Sequence, residues 1–410
     1  MKQPVVRNTF FLSIANLLSR GIGFFYFVFL ARILGVDQFG HYNFAIALVY
    51  NFYPVADFGV ERLILRDLSK DAQKAQDYFQ KIIPLRFILA LISVFLVTLI
   101  GFFLSKSNFD RLNIFIFSLC LFPWTFNQLV AGIGNALERM EIQSLAIVLM
   151  SLLTAVFGGL VAFLGGSVPQ ILLAALFSNL IVSFIMVNQS GKLGLNFVIK
   201  WDSDFGKKVL AQSWVFASIM IMAVFYLRMS IVMVNFFKGA YYTGLYSSVF
   251  KFIEASILIP QSLALALFPQ MARLLQKNRK KLAQNYFFSL IIILLMSLPF
   301  FIIFYFFPGE VIKIAYGSKY LEAIPAAKIL AFSFILFFLN TLPGNVIQSS
   351  NKVLKFLPLA FLNLLFMVLA CFCFISKYSI EGAAWAVLLA EAFGFIINNT
   401  FVFKILSEKD

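Results

Sequence analysis

Of the chain's 410 residues, 61% are hydrophobic and 12% charged, and its mean hydropathy of +0.92 excludes a soluble globular enzyme. The net charge of +15 would suit a nucleic-acid partner, but the cations alternate between the connections of long apolar segments. That is a membrane-topology pattern, and no nucleic-acid partner is expected.

Apolar windows of about 20 residues predict twelve spans. The first, 8–31, contains Arg20 and runs into Gly35-Val-Asp-Gln-Phe-Gly40-His-Tyr42. The second, 41–60, holds Pro54 and Asp57; the third, 82–104, holds Arg86; the fourth, 112–134, ends at Gly134-Asn135. Segments 143–164 and 169–188 follow, and then a polar stretch. The seventh span, 209–234, carries Arg228 and leads into Gly239-Ala-Tyr-Tyr-Thr-Gly244-Leu-Tyr246. The eighth, 241–268, holds Lys251, Glu254 and Pro260, and 286–307 is the ninth. The tenth, 323–342, contains Lys328 and is followed by Gly344-Asn345; 356–375 and 381–403, with Glu391, complete the series. Runs such as Ile291 to Phe307 lack the two-residue alternation of barrel strands, so the fold class is an all-α polytopic membrane protein. Eleven spans follow the first with no small-residue cleavage site, so no removable signal peptide is expected. The longest outer connection, about 308–322, is too short for a catalytic domain.

The phrase Gly-x4-Gly-x-Tyr occurs twice, and a Gly-Asn pair follows Gly40 by 94 residues and Gly244 by 100. Agreement in order and spacing predicts two six-helix lobes, a repeat of 205 to 210 residues, and a pseudo-twofold axis along the membrane normal. The lobes are assigned to 1–190 and 209–410, with a cytoplasmic linker at 191–208. Pro54 and Pro260 occupy similar places in the two halves and are candidate hinges.

With the N-terminus inside, 21 Lys and Arg residues fall on the inner side, 7 on the outer and 5 within spans. Both termini are therefore expected in the cytoplasm. The run Gln276-Lys-Asn-Arg-Lys-Lys281 reads as a topology signal that favours anionic membrane lipids. Cys120, Cys371 and Cys373 lie in spans as packing residues, with no metal-site or redox spacing, and no cofactor is expected. His41, the single histidine, reads as an interfacial turn residue, with a proton relay as the alternative.

Ala31-Arg-Ile-Leu-Gly-Val-Asp-Gln-Phe-Gly-His-Tyr42, Asp57-Phe-Gly59 with Arg66 downstream, Gly244-Leu-Tyr with Lys251, Glu254, Pro260 and Phe268-Pro269, and Tyr316-Gly-Ser-Lys-Tyr320 resemble the Wzx-type polysaccharide flippases. These belong to the multidrug/oligosaccharidyl-lipid/polysaccharide exporter superfamily. The resemblance implies two lobes around a central cavity that opens alternately to each side of the bacterial cytoplasmic membrane. It implies a cargo of undecaprenyl-diphosphate-linked oligosaccharide, for O-antigen or another surface polysaccharide, moved by a functional monomer that is not an enzyme. Polysaccharide polymerase and chain-length machinery are the implied partners.

A cation at mid-membrane costs about 2.5 to 3.5 kcal/mol and normally faces water or a partner. Arg20, Arg228, Lys251 and Arg86 are therefore candidate substrate-binding residues, since guanidinium and ammonium groups suit a diphosphate. Other readings stay open: Arg20 could pair within its own lobe, Lys251 with Glu254 one turn on, and Arg86 could snorkel to the surface. Asp57, Glu254 and Glu391 are candidate buried acids for coupling to H+ or Na+, or else ion-pair partners. The superfamily's multidrug antiporters are the alternative within the same fold; Arg20, Arg86, Arg228, Lys251 and Lys328 outnumber the three acids and favour an anionic cargo. A glycan polymerase or glycosyltransferase would need catalytic groups in a large outer loop, where 308–322 offers only Glu310 and Glu322. A purely structural assembly protein leaves the mid-membrane charges without a reason.

Overall fold

The computed structural model of the chain describes residues 2–350 and 352–407. Among the described residues there is no strand, and ten helical stretches are long and apolar enough to cross a membrane. The two longest helices, α1 (Lys2–Asp57) and α14 (Val353–Ser407), would measure roughly 80 Å if straight, against about 30 Å of hydrocarbon. Both fold back on themselves. In α1 the ring centroids of Phe27 and Phe39 are 4.7 Å apart, whereas a straight helix would separate these residues by about 18 Å. In α14, Phe366 stacks on Phe393 at 4.5 Å, against about 40 Å for a rod. The turns are at Gly35 (φ 71°, ψ 173°) and Ser379 (φ 54°, ψ −130°). Each turn divides its helix into two arms.

Gly239 (φ 88°, ψ −176°) adopts nearly the conformation of Gly35, in a region of backbone space essentially closed to residues with a Cβ. The first glycine of each repeated phrase is thus the pivot of a turn. The tyrosines that close the phrases are buried and equivalently seated: Tyr42 lies against Tyr26 and Tyr246 against Ser230, sixteen positions earlier in both cases.

The chain forms two compact units, Met1–Arg228 and Met229–Asp410. The first contains α1, α2 (Val60–Leu68), α3 (Ala75–Leu104), α4 (Asn108–Ser118), α5 (Leu121–Ala136), α6 (Met140–Phe163), α7 (Val168–Lys192) and most of α8 (Ser203–Lys238). Here α1 packs chiefly on α6 and α3, and α6 on α7. The short α2 is strongly amphipathic: Val60, Leu63, Ile64 and Leu68 enter a core with Phe79, Ile82, Ile133, Met186 and Val209. The connection after α7 is fastened to α3. Gln76 and Asn196 exchange hydrogen bonds of 3.1 and 2.8 Å, and the Lys200 N–H donates to the Gln80 carbonyl. Lys81 also bridges Asp77 at 3.0 Å and Asp202 at 3.1 Å. The Phe205 N–H and then Lys81 hold the Asp202 carboxyl below the usual carboxylate range.

The second unit contains the end of α8, α9 (Ala240–Ser256), α10 (Leu258–Lys277), α11 (Arg279–Phe306), α12 (Pro308–Tyr316), α13 (Ile324–Ser349) and α14. Its centre is α13, packed on α14, α11 and α10. The segment 308–322, expected as an outer loop, is instead α12 followed by a 3-10 turn over Ser318–Ala323. Pro308 starts the helix where its missing N–H costs nothing, and Ile312, Tyr316 and Tyr320 are buried.

Candidate functional site

The first unit contains a fully buried ion pair. Asp57, the last residue of α1, and Arg86 on α3 are 0% and 2% exposed, and Arg86 Nη2 donates to Asp57 Oδ1 at 2.5 Å. Arg86 Nη1 donates to the Thr125 carbonyl of α5 at 2.6 Å. One arginine therefore ties three helices together, and it does not snorkel. Asp57 Oδ2 and Arg86 Nε are buried without a hydrogen-bond partner. Glu61, in the first turn of α2, lies within electrostatic range of both groups.

The turn that aims Asp57 at Arg86 is Asp57-Phe58-Gly59. Pro54 sits within α1, and its carbonyl accepts the Phe58 N–H at 2.8 Å as the helix ends. Phe58 (φ 49°) and Gly59 (φ 72°) are then both left-handed, which reverses the chain into α2. A Cβ on Gly59 would lie 2.8 Å from Ala217 N, Phe216 Cβ and Ser213 O of α8. Glycine is required here twice over, for its backbone angle and for the close approach. Gly59→Ala should destabilise the unit by about 2–4 kcal/mol, seen as a lowered thermal midpoint in detergent; an unchanged midpoint would contradict this packing.

In the second unit, Lys251 and Glu254 of α9 pair at 3.1 Å, with side chains 24% and 12% exposed. Tyr246 and Tyr316 stand within electrostatic range of Glu254, and Phe252 packs edge-on against Tyr316 at 5.6 Å. The helix is interrupted directly after this pair: α9 ends at Ser256 and α10 starts at Leu258. Pro260 explains the position, because it has no N–H to offer the Ser256 carbonyl one turn back.

Glu391 of α14 is 2% exposed. Asn340 of α13 donates to its carboxylate at 2.6 Å and to its backbone carbonyl at 3.0 Å, and Asn398 donates to Asn340 Oδ1 at 3.3 Å. Arg228 of α8 is half-buried, its guanidinium 5.1 Å from the Tyr50 ring centroid. Arg20 is exposed on the first arm of α1. His41 shares a 2.7 Å hydrogen bond with Asp110 and lies 3.6 Å from Asp37. Cys120 and Cys371 are buried and Cys373 is exposed.

The sequence-predicted residues thus meet in two pairs, Asp57 with Arg86 and Lys251 with Glu254. Sequence reasoning missed Glu61, Thr125, Asn340 and Asn398. The amides carry no charge to mark them within an apolar run, and Glu61 lies just beyond the expected end of the second span, where a carboxylate attracts no notice.

A family model described as "Polysaccharide biosynthesis protein" matches residues 5–275. The chain is 27% identical to a "Putative O-antigen transporter" of Shigella flexneri, over 88% of each chain. It is 22% identical to a "Probable low-salt glycan biosynthesis flippase Agl15" of Haloferax volcanii, over 99% of this chain and 85% of that one. Among solved structures, the fold is similar to that of the lipid II flippase MurJ in an inward closed conformation, with a TM-score of 0.77 and 16% identity over 96% of this chain and 88% of that one. An inward-facing multidrug MATE family transporter of the MOP superfamily matches with the same TM-score at 15% identity, over 97% and 96% of the two chains.

Proposed function

Because this chain belongs to the polysaccharide biosynthesis protein family, we propose that it is a flippase that moves an undecaprenyl-diphosphate-linked oligosaccharide from the inner to the outer leaflet of the cytoplasmic membrane. The observation that carries this reading is the similarity, along nearly the whole chain, to glycan transporters and flippases. The work is translocation by alternating access, with no covalent bond made or broken in the cargo. Both termini are cytoplasmic, the monomer is the working unit, and polymerase and chain-length machinery receive the product.

Charge distribution supports an anionic cargo over the organic cations of a multidrug transporter. Of the five cations in spans, Arg86 and Lys251 are matched by Asp57 and Glu254 in their own units, and Glu391 is engaged by Asn340. Arg20 and Arg228, both of the first unit, are the residues assigned to the diphosphate, and Lys251 of the second unit is released when Glu254 is protonated. Protonation would break the Lys251–Glu254 pair beside the Pro260 interruption, which links an ion to a bendable point in α9–α10. Asp57, held by Arg86, is the poorer coupling group.

The test is flipping of a lipid-linked oligosaccharide in proteoliposomes, with and without an imposed proton or sodium gradient. Wild type should flip the cargo and respond to one gradient, and Glu254→Gln should flip without responding. Absence of flipping under every condition would sink the flippase reading, and an equal response from Glu254→Gln would move coupling away from this pair.

A further inference from the structure

The first unit also holds a cavity with a largely basic lining, away from the spans' interior. A half-enclosed cavity of about 320 Å³ opens between α2, the start of α3 and the start of α8. Arg66, Lys70, Lys74 and Lys208 line it together with the rings of Tyr78 and Phe205, which meet edge to face at 5.1 Å. Two carboxylates, Asp67 and Asp71, also border it, so the wall carries four cations against two anions.

Both carboxylates are committed to the scaffold. Asp67 accepts Arg66 Nε at 2.8 Å on one oxygen and the Tyr78 hydroxyl at 2.9 Å on the other. Asp71 accepts the Gln73 N–H at 3.2 Å, capping the short helix that follows it, and pairs with Lys74 at 3.1 Å. Arg66 is further fixed by Gln212, which accepts Nη2 at 2.7 Å. These contacts hold the Arg66 fork in place. Lys70 and Lys208 are exposed at the rim, and no carboxylate among the described residues lies within ion-pair distance of either. The excess charge therefore comes from the two ammonium groups of Lys70 and Lys208, which stand with the oriented Arg66 guanidinium around a concave space with an aromatic wall. That combination suits a phosphate group attached to something less polar: the guanidinium supplies directed donors, the lysines supply charge, and the rings take the adjoining apolar part.

We propose that this cavity binds the phosphate-bearing headgroup of a lipid. Two sources share that chemistry, an anionic phospholipid of the bilayer and a polyisoprenyl diphosphate. The site lies within one compact unit, and binding there requires no transport step.

Native mass spectrometry of the detergent-solubilised full chain tests it, with phosphatidylglycerol, farnesyl diphosphate and inorganic phosphate as probes. The double variant Lys70→Gln/Lys208→Gln alters only exposed side chains, so it should fold. Lys313→Gln/Lys319→Gln, two exposed lysines of the second unit, makes the same change in net charge as a control. Wild type and control should retain phosphatidylglycerol or farnesyl diphosphate with similar affinity, and Lys70→Gln/Lys208→Gln should bind roughly 30-fold more weakly. Displacement of bound phosphatidylglycerol by farnesyl diphosphate assigns the site to the polyisoprenyl carrier, and retention against it assigns the site to bilayer lipid. Displacement by inorganic phosphate at equal concentration would overturn a lipid site in favour of a soluble phosphate. Unchanged lipid binding by Lys70→Gln/Lys208→Gln, or an equal loss in the control, would overturn the site altogether. Because binding is read directly, failure here leaves the flippase reading standing, and failure of flipping leaves this site standing.

Discussion

Arg86→Met should destabilise the chain by about 3–5 kcal/mol, the usual consequence of removing one partner of a buried ion pair. The variant strands Asp57 at 0% exposure and frees the Thr125 carbonyl that Arg86 had engaged. Asp57→Leu alone should do comparable damage by leaving a buried guanidinium with only its hydrogen bond to the Thr125 carbonyl. The double variant Asp57→Leu/Arg86→Met should recover most of the loss, since an apolar pair of similar volume carries no desolvation cost. Thermal midpoints of the four proteins in detergent complete the cycle. If the double variant is as unstable as the singles, the pair does not act as a unit. Glycan display by the double variant then separates two roles: recovered stability with no display would make the pair part of the transport cycle, and recovery of both would make it a clasp between α1, α3 and α5.

Arg228→Ala should abolish surface glycan while leaving the protein in the membrane at normal abundance, and Arg20→Ala should do the same. Arg228 is half-buried with its guanidinium against Tyr50, an arrangement that orients the group and contributes about 0.5–2 kcal/mol. Orientation matters because a guanidinium grips phosphate oxygens through two parallel donors, which an ammonium cannot do. Arg228→Lys should therefore restore only part of the activity. Normal glycan display by both alanine variants at matched expression would remove the diphosphate from this part of the chain.

Much of the fold is legible in the sequence because the bilayer imposes a single strong rule, a run of about 20 apolar residues per crossing. The repeated Gly-x4-Gly-x-Tyr phrase is also legible, and the near-identical angles of Gly35 and Gly239 supply its cause. Pairing was harder to read. Lys251 and Glu254 stand one turn apart, so their contact follows from helix geometry, whereas Asp57 and Arg86 lie on different helices and only tertiary packing brings them together. Arg86 is close enough to the expected end of the third span to reach water, but its partner is on the inside. Amphipathic α2 and α12 were hidden for another reason: each is about half a span in length, and a window sized for a bilayer averages such helices into the loops around them.

The reversals at Gly35 and Ser379 bear on how the chain enters the membrane during synthesis. Each hairpin joins two crossings through a single irregular residue, so there is no hydrophilic loop to be threaded across the bilayer by itself. The two arms must leave the insertion machinery together, with their backbone hydrogen bonds already closed. The charged freight at the turns is small: Arg32 and Asp37 at the first, Lys377 and Glu381 at the second. Joint entry also changes the accounting for Arg20. Its first arm need not offset the insertion cost of about 2.5–3.5 kcal/mol alone, because the apolar second arm, through Ala56, partitions with it. A guanidinium can then be placed early in the chain without a more hydrophobic leading helix.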